Sequence, residues 1–242
     1  MGFRVLGPAF VLLPVIGAPV ASGQPGCEVV RDPASLAARL AWHGMSAGMI
    51  VEMPPLPDVA LRRLFETLDV AHDPFGAWMS LCHVDHSSGF AKGATPQSVF
   101  EDHIKSHPRA RLDADGKANG SPIPVLRTEE GNICHAALQR RTREAHTSRS
   151  LWDLADSLVV DAAVSKPLPG RIGSCLGAHE VAPVPRTIGA GVTLETALNS
   201  LAAQFEGTVW VAVETAEGRC AIGLLTTRES GGVCMGAIGR PW

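Results

Sequence analysis

One segment constrains the fold of this 242-residue chain more than any other: VTLETALNSLAAQFEGTVWVAVE, residues 192–214. Thr193 is a favourable N-cap, because its hydroxyl can accept a hydrogen bond from an unpaired N–H group of the first helical turn. Apolar residues then recur at helical spacing as far as residue 205, and a glycine follows at residue 207. Residues 208–214 are typical of a strand. The segment therefore predicts an amphipathic helix that turns directly into a β-strand.

The residues after this segment predict two further strands, 219–227 and 233–238, each preceded by a glycine-containing turn. Together with residues 208–214 they predict an antiparallel sheet on which the helix packs through its apolar stripe. On this hypothesis Leu198 belongs to the core and Glu195 faces outward. We expect Leu198→Ala to destabilise the fold and Glu195→Ala to change its stability very little.

Two other segments share the helical part of this unit: SLWDLADSLVV at residues 150–160 and SLAARLAW at residues 35–42. Ser150 matches Thr193 as a cap, and the apolar positions that follow agree residue by residue. The first and last helices each lead through a glycine-containing turn into a predicted strand, residues 49–53 and 208–214. The pattern predicts a helix–strand unit that occurs up to three times.

These patterns predict an α+β protein of small βαβ-type units, whose amphipathic helices pack on short mixed or antiparallel sheets stapled by disulfides. The predicted organisation is a signal peptide (1–23), a first α/β unit (24–92), a second α/β unit (93–164), a proline-rich connector (165–183) and a C-terminal α/β unit (184–242).

Other local signals predict individual elements. Residues 27–30 are predicted to form a short strand before a helix capped by Asp32, and Thr95 and Pro96 open a helix that ends before Pro108. Residues 165–187 contain four prolines and are expected to lack regular structure.

The C-terminal unit resembles the short N-terminal (STN) domain of secretins and TonB-dependent receptors, best over residues 185–227. The residues that carry the resemblance are Thr193 and Leu194, which open the helix, Ala197, Leu198 and Leu201, which pack it, and residues 209–213, which form the following strand. In that family the domain is a small module of βαβ type that contacts other proteins in the periplasm. The resemblance implies a protein-binding or assembly role without catalytic residues, although no secretin core or outer-membrane barrel follows the unit.

The first two dozen residues have the layout of a secretory leader. Arg4 supplies a positive start, residues 5–20 are uncharged and apolar, and the small residues ASGQ follow. The apolar run is short and contains three prolines, which disfavours a membrane-spanning helix. We therefore expect cleavage near Ser22 or Gly23, a periplasmic or secreted protein, and no stable membrane span after the leader is removed.

Six cysteines follow this leader: Cys27, Cys82, Cys134, Cys175, Cys220 and Cys234. An even number in an exported chain predicts up to three disulfides, whose connectivity spacing does not decide. No Cys-x-x-Cys pair is present. Structural disulfides are therefore favoured over a zinc or redox site.

Net charge disfavours a nucleic-acid partner, because the chain carries a formal charge of −3. A local basic run contains Arg140, Arg141, Arg143 and Arg149, with Glu144 among them. We interpret this run as a solvated, mixed-charge face. The expected partner is another envelope protein.

One polar cluster could bind Zn²⁺ or Cu²⁺ through imidazole and carboxylate ligands: His72, His83, Asp85 and His86. This cluster supports an alternative hypothesis, a disulfide-stapled exported metal-binding protein or hydrolase. His103 and His107 share a helix face, but HIKSH lacks the glutamate of a hydrolytic His-Glu-x-x-His motif.

The segment GSCLGAHE, residues 173–180, places Ser174 and Cys175 close to His179 and Glu180. Its spacing does not match the Gly-x-Ser-x-Gly nucleophile elbow. No catalytic residue and no cofactor is predicted. The sequence thus favours a non-enzymatic exported protein of STN-like modules that binds proteins or supports an assembly in the bacterial cell envelope.

Overall fold

The computed structural model describes residues 27–52, 89–113, 117–118, 121–128, 133–166, 181–214, 220–227, 233–238 and 240–241. Within these ranges the helices are α1 (Cys27–Trp42), α2 (Pro96–Ser106), α3 (Ile133–Leu138), α4 (Leu151–Asp161) and α5 (Leu194–Gln204). The strands are β1 (Ala47–Glu52), β2 (Ala110–Asp113), β3 (Lys117–Ala118), β4 (Ser121–Pro122), β5 (Val125–Thr128), β6 (His146–Ser150), β7 (Ser165–Lys166), β8 (Val181–Ile188), β9 (Val209–Glu214), β10 (Cys220–Thr227), β11 (Val233–Ile238) and β12 (Arg240–Pro241).

Six strands form one mixed sheet in the order β11-β10-β9-β1-β5-β2. The three central strands are parallel, because β1 pairs in parallel with both β9 and β5. The outer strands are added antiparallel, β10 and β11 on one side and β2 on the other. Strands from all three of the α/β units predicted from the sequence (24–92, 93–164 and 184–242) are thus hydrogen-bonded into a single sheet.

Helices cover both faces of this sheet and give three layers. On one face α1 and α2 pack against the side chains of Met49, Val51 and Val211. On the other face α3, α4 and α5 pack against Ile50 and Trp210 among others. Adjacent strand residues therefore enter different clusters, as the two-residue period of a strand requires. The α+β class predicted from the sequence, with a disulfide staple, is confirmed.

The three predicted helix starts on hydroxyl caps are confirmed. The side-chain oxygens of Thr95, Ser150 and Thr193 each accept a hydrogen bond at 3.2 Å from the backbone N–H three residues later. Each cap satisfies an N–H group that the helix itself leaves unpaired. The helices α2, α4 and α5 therefore begin where the local sequence places them.

The environment of α5 differs from the prediction that one stripe is buried and the rest is outside. Its buried residues include Glu195, Asn199 and Ser200 beside the apolar stripe. The reason is that α5 lies between the sheet and two further helices, α3 and α4, so several of its faces are covered. The strand face that meets α5 is the one with Trp210, while Val211 faces α1.

Two local predictions were wrong. Residues 27–30, predicted as a strand, form the first turn of α1, because so short an apolar run does not distinguish a strand from a helix. The end of the predicted irregular connector, residues 181–187, belongs to β8, which pairs with β6. Its prolines at 183 and 185 lie where the pairing shifts register, so they interrupt no regular ladder.

The strands β6 and β8 form a two-stranded antiparallel sheet of their own. The pairing continues past β6, since the N–H of Thr142 donates to the carbonyl of Val192 and the N–H of Gly191 donates to the carbonyl of Thr142. Residues 140–142 and 146–150 thus pair with residues 181–194, and the chain bends at residues 143 and 144 between them. We call this pair of segments the ribbon. Ala182 and Ile188 of the ribbon join the core of the α5 layer.

Candidate functional site

Two sets of residues singled out in the sequence lie outside the described ranges: His72, His83, Asp85 and His86, with the neighbouring Cys82, and Ser174, Cys175, His179 and Glu180. Metal binding at the first set stays the alternative hypothesis, and no catalytic role is predicted for the second set. Within the part of the chain that the structure describes, no three His, Cys, Asp or Glu side chains are grouped so that they could hold a metal ion.

The histidine pair of α2 lies at the C-terminal end of that helix. The His103 and His107 rings stack at a centroid distance of 4.0 Å. The Nδ1 atom of His107 is 3.0 Å from both the carbonyl oxygen of His103 and the hydroxyl of Ser106. These contacts satisfy groups at the helix end, which agrees with the interpretation of HIKSH as two helix-end histidines.

A disulfide joins Cys134 of α3 to Cys220 at the start of β10, with Cα atoms 4.9 Å apart. Both residues are buried in the core of the α5 layer. The bond fixes a helix of only six residues to the sheet. The side chains of Cys27, Cys82, Cys175 and Cys234 lie outside the described part, so their pairing stays a prediction.

A charged cluster that the sequence analysis missed is centred on Arg127 of β5. Its guanidinium forms ion pairs with Asp113 of β2, at 3.1 Å, and with Glu195 of α5. The other oxygen of Glu195 accepts a hydrogen bond from the Gln139 side chain at 3.4 Å. The Nη1 atom of Arg127 is also 3.4 Å from Nδ1 of His135. The sheet, α3 and α5 thus meet in one polar network.

This cluster lies near the carboxyl ends of the parallel strands, a region where α/β sheets often bind ligands. Here, however, the one guanidinium faces two carboxylates, and the Arg127 and Glu195 side chains are 19% and 12% exposed. The network is satisfied from within and ties the first turn of α5 to the sheet. The sequence signal was an arginine inside the apolar run IPVLR, since a charge on a covered strand face requires a partner.

A second polar contact holds the middle of α5 to the sheet. The indole N–H of Trp210 donates to the side-chain oxygen of Asn199 at 2.9 Å, and both residues are buried. The same indole lies over Gly48 of the neighbouring strand β1. A Cβ added at Gly48 would come within 2.3 Å of the Trp210 ring. The Trp210 indole therefore packs against Gly48 and is hydrogen-bonded to Asn199.

The carboxylate of Asp161, at the end of α4, connects the ribbon to the core through hydrogen bonds and an ion pair. Its Oδ2 atom accepts hydrogen bonds from the backbone N–H groups of Arg143 and Glu144 at 2.6 and 3.1 Å, and it lies 3.1 Å from Nε2 of His146. Burial acts to raise the pKa of Asp161, but these hydrogen bonds and the His146 charge together lower it. The carboxylate thus holds the chain as it enters β6.

The outer surface of the ribbon is exposed along its whole length. Arg141, Arg143, Glu144, Ala145, Thr147 and Arg149 are all exposed, whereas Thr142 is buried and His146 and Ser148 are half-buried. Residues 146–149 alternate as in a strand with one face on the core and one in solvent, while residues 143–145 are exposed together where the chain bends. On the neighbouring strand, the Thr187 hydroxyl lies 2.8 Å from that of Thr147.

The guanidinium groups of this surface do not pair with carboxylates in the described part of the protein. Arg140 donates to the carbonyl of Ala163, and Arg141 donates to the carbonyl of Gly191. No ion pair of Arg143 or Arg149 occurs among the described residues. In the described part, this surface thus carries four arginines and the exposed Glu144 with no ion pair among them, which agrees with the interpretation of a solvated, mixed-charge face.

A large apolar residue is exposed on the same ribbon. Val184 is 54% exposed and lies between Pro183 and Pro185, which are also exposed. Exposed arginines and an exposed apolar residue are features of surfaces that bind other proteins. Of the polar features described above, the ribbon alone has its charged groups unneutralised, so we take it as the candidate functional site.

Comparisons with known proteins do not extend this description: no protein-family model, curated protein or solved structure matches the chain. Among the described helices, none combines the length and the apolar character needed to cross a membrane.

Proposed function

We propose that this is an exported, non-enzymatic protein of the bacterial cell envelope that binds another envelope protein through the ribbon. In this proposal the STN-like units form a rigid support, and the ribbon is the surface that the support presents. The proposal combines the role implied by the resemblance of residues 185–227 with the exposure of the ribbon.

The leader-like start of the sequence and the buried Cys134–Cys220 bond support export. Structural disulfides form and persist in oxidising compartments such as the bacterial periplasm, and they are rare in the cytosol. This bond joins α3 to β10 across the core. Reduction would remove the covalent bond between the short α3 and β10, so an oxidising location suits the fold.

The observation that carries the binding role is the contrast between the ribbon and the other polar sites. Arg127, Asp113 and Glu195 neutralise one another, and Asp161 is occupied by hydrogen-bond donors. The contacts of these four charged side chains stabilise the fold. The ribbon, by contrast, carries guanidinium groups without an ion pair among the described residues and the exposed side chain of Val184.

Site-specific photo-crosslinking in the native host tests the proposal. A photoreactive phenylalanine analogue replaces Val184 in one strain, and it replaces Lys92 in the control strain. Lys92 is exposed in the loop before α2, beside residues that pack on the opposite face of the sheet. We expect a discrete light-dependent adduct from Val184 in the periplasmic or secreted fraction and none from Lys92.

Two results would contradict the proposal. The first is recovery of the chain in the cytosol with free thiols at Cys134 and Cys220. The second is an identical set of adducts, or no adduct, at both positions, because a specific surface must react differently from an unrelated one.

A further inference from the structure

We propose that one short loop of the ribbon, formed by Pro183, Val184 and Pro185, enters the partner and fits an apolar groove lined by aromatic side chains. We call these three residues the proline loop. This inference rests on the proposed function and adds the chemistry of the partner's surface. Three features of the loop support it: its protrusion from the ribbon, its restricted backbone and its lack of N–H donors.

The proline loop protrudes because β8 has more residues than β6 at this point. The pairs on either side of it are Ser150 with Val181 and Ser148 with Arg186. Between these pairs β8 has four residues, 182–185, whereas β6 has one. Extra residues on one strand cannot join the ladder, so they bulge out of it. The three residues of the proline loop are accordingly all exposed.

The exposure of Val184 is a consequence of this bulge. Ala182 and Ile188 are buried in the core of the α5 layer, and in a regular strand Val184 would lie on the same face, because every second residue does. Instead Val184 is 54% exposed, against 43% for Ile133, the other large apolar residue exposed in the described ranges. Since Ala182 and Ile188 fix both sides of the loop in the core, Val184 is presented from a rigid base.

The backbone of the proline loop is restricted before any partner binds. A proline ring fixes φ near −65°, and the residue before a proline is confined to extended or polyproline II conformations. These two restrictions alternate along residues 182–185, whose sequence is Ala-Pro-Val-Pro. The loop therefore loses little conformational entropy when it is bound, which favours association.

The missing N–H groups decide how a partner can bind the loop. The N–H groups of alternate residues point to the same edge of a strand, so Pro183 and Pro185 leave one edge of the loop without donors. Addition of the loop to the edge of a partner's sheet is therefore disfavoured. Extended segments that contain proline are bound instead through their side chains, in grooves lined by aromatic residues.

Photo-crosslinking from a neighbouring position tests this inference in the native host. The photoreactive phenylalanine analogue replaces Thr187, an exposed residue of the same strand, so that the proline loop itself can be varied. The measured quantity is the yield of the partner adduct. We expect Val184→Asp to lower this yield about tenfold or more, because a carboxylate would be buried in an apolar groove without a partner. Pro183→Ala with Pro185→Ala should lower it about threefold or more, because the freed backbone must then be ordered on binding.

Two matched variants serve as controls. Ile133→Asp makes the same kind of change at the other exposed apolar residue, which lies outside the ribbon at the start of α3. Val184→Ile keeps the loop apolar. Both should leave the adduct yield unchanged, and melts of each purified variant verify that the fold is intact. Mass spectrometry of the adduct formed at position 184 should place it on a partner peptide that contains tryptophan, tyrosine or phenylalanine.

Four results would each overturn the inference. They are equal yields from Val184→Asp and Ile133→Asp, no effect of replacing both prolines, an adduct on a partner segment without aromatic residues, and an adduct from position 184 but none from position 187. The last result counts because a groove that encloses the loop must reach the residues beside it.

Failure of this inference is distinguishable from failure of the proposed function. If position 184 forms its discrete adduct and Val184→Asp leaves the yield from position 187 unchanged, the ribbon still binds a partner and the aromatic groove is wrong. If neither position forms an adduct in cells, both proposals fail.

Discussion

Two helix–strand units of this protein, α1–β1 and α5–β9, have the same local structure, but their helices pack on different faces of the sheet. In both, a helix leads through a glycine with positive φ into a strand: α1 through Gly44 (φ 68°) into β1, and α5 through Gly207 (φ 72°) into β9. The two strands lie side by side in parallel, from Ala47 opposite Val209 to Glu52 opposite Glu214. Yet α1 covers one face of the sheet and α5 covers the other.

The difference lies in what surrounds each helix. The core cluster that includes α1 is formed by apolar side chains, while α5 is covered by the sheet, α3 and α4 and buries polar residues as well. A buried polar group is tolerated only with a hydrogen-bond partner, and Glu195 and Asn199 have theirs in Arg127 and Trp210. An amphipathic pattern therefore identifies the helix but not how many neighbours will cover it.

The largest effect is expected from truncating the apolar core of each unit. Leu198 of α5 and Leu40 of α1 are both fully buried, and each change to alanine should lower the free energy of unfolding by about 2–5 kcal/mol. Denaturant melts of the two variants measure this directly. A neutral Leu198→Ala would mean that α5 does not pack as described, and a neutral Leu40→Ala would break the equivalence of the two units.

Gly48→Ala tests the contact between the two strands. Its new Cβ would collide with the Trp210 ring, which Asn199 holds from the other side. We expect a loss of about 1–3 kcal/mol in unfolding free energy, the usual cost of overpacking. Near-ultraviolet circular dichroism should report the displaced tryptophan. An unchanged spectrum and melt would show that the indole is not wedged between α5 and β1.

Glu195→Ala tests the ion pair that joins α5 to the sheet. The sequence alone predicts a neutral change, whereas the structure predicts a loss of about 1–3 kcal/mol, because Arg127 would lose one of its two carboxylates in a covered site. Glu206→Ala, at an exposed position just after α5, serves as the control and should change stability by less than about 0.5 kcal/mol. Equal melts for both variants would favour the prediction from sequence.

The smallest effect is expected at the two turns. Gly44→Ala and Gly207→Ala each place a Cβ in the left-handed region, at a cost of about 1 kcal/mol. Equal losses in paired melts would show that the turns are equivalent despite the different helices. A clearly larger loss at Gly207 would show that the crowded surroundings of α5 also constrain its turn.

Local signals were enough to predict much of this fold. The caps at Thr95, Ser150 and Thr193 and the strands β9, β10 and β11 follow from residue type and period over short windows. The sequence did not predict β8, since prolines hide a strand whose pairing is irregular. Nor did it predict the parallel pairing of β1 with β9, because nothing in either strand specifies so distant a neighbour.

The site was harder to predict than the fold for a related reason. Arg127 and Glu195 are 68 residues apart in sequence, so their pairing depends on the completed layers. The sequence shows the basic run at residues 140–149 and the glutamates near it, but it does not show which groups the guanidinium groups contact. Only the positions of Ala163 and Gly191 show that Arg140 and Arg141 donate to carbonyls.

The parallel pairing of β1 also dictates an order of assembly. During synthesis the N-terminal part emerges first. The strand β1 can then form its three-residue ladder with β5, but its six-residue ladder with β9 must wait for the C-terminal unit. Such non-local pairing is slow, and an unpaired strand edge invites aggregation. The centre of this sheet is therefore closed late, and the nascent chain is expected to depend on chaperones until β9 arrives.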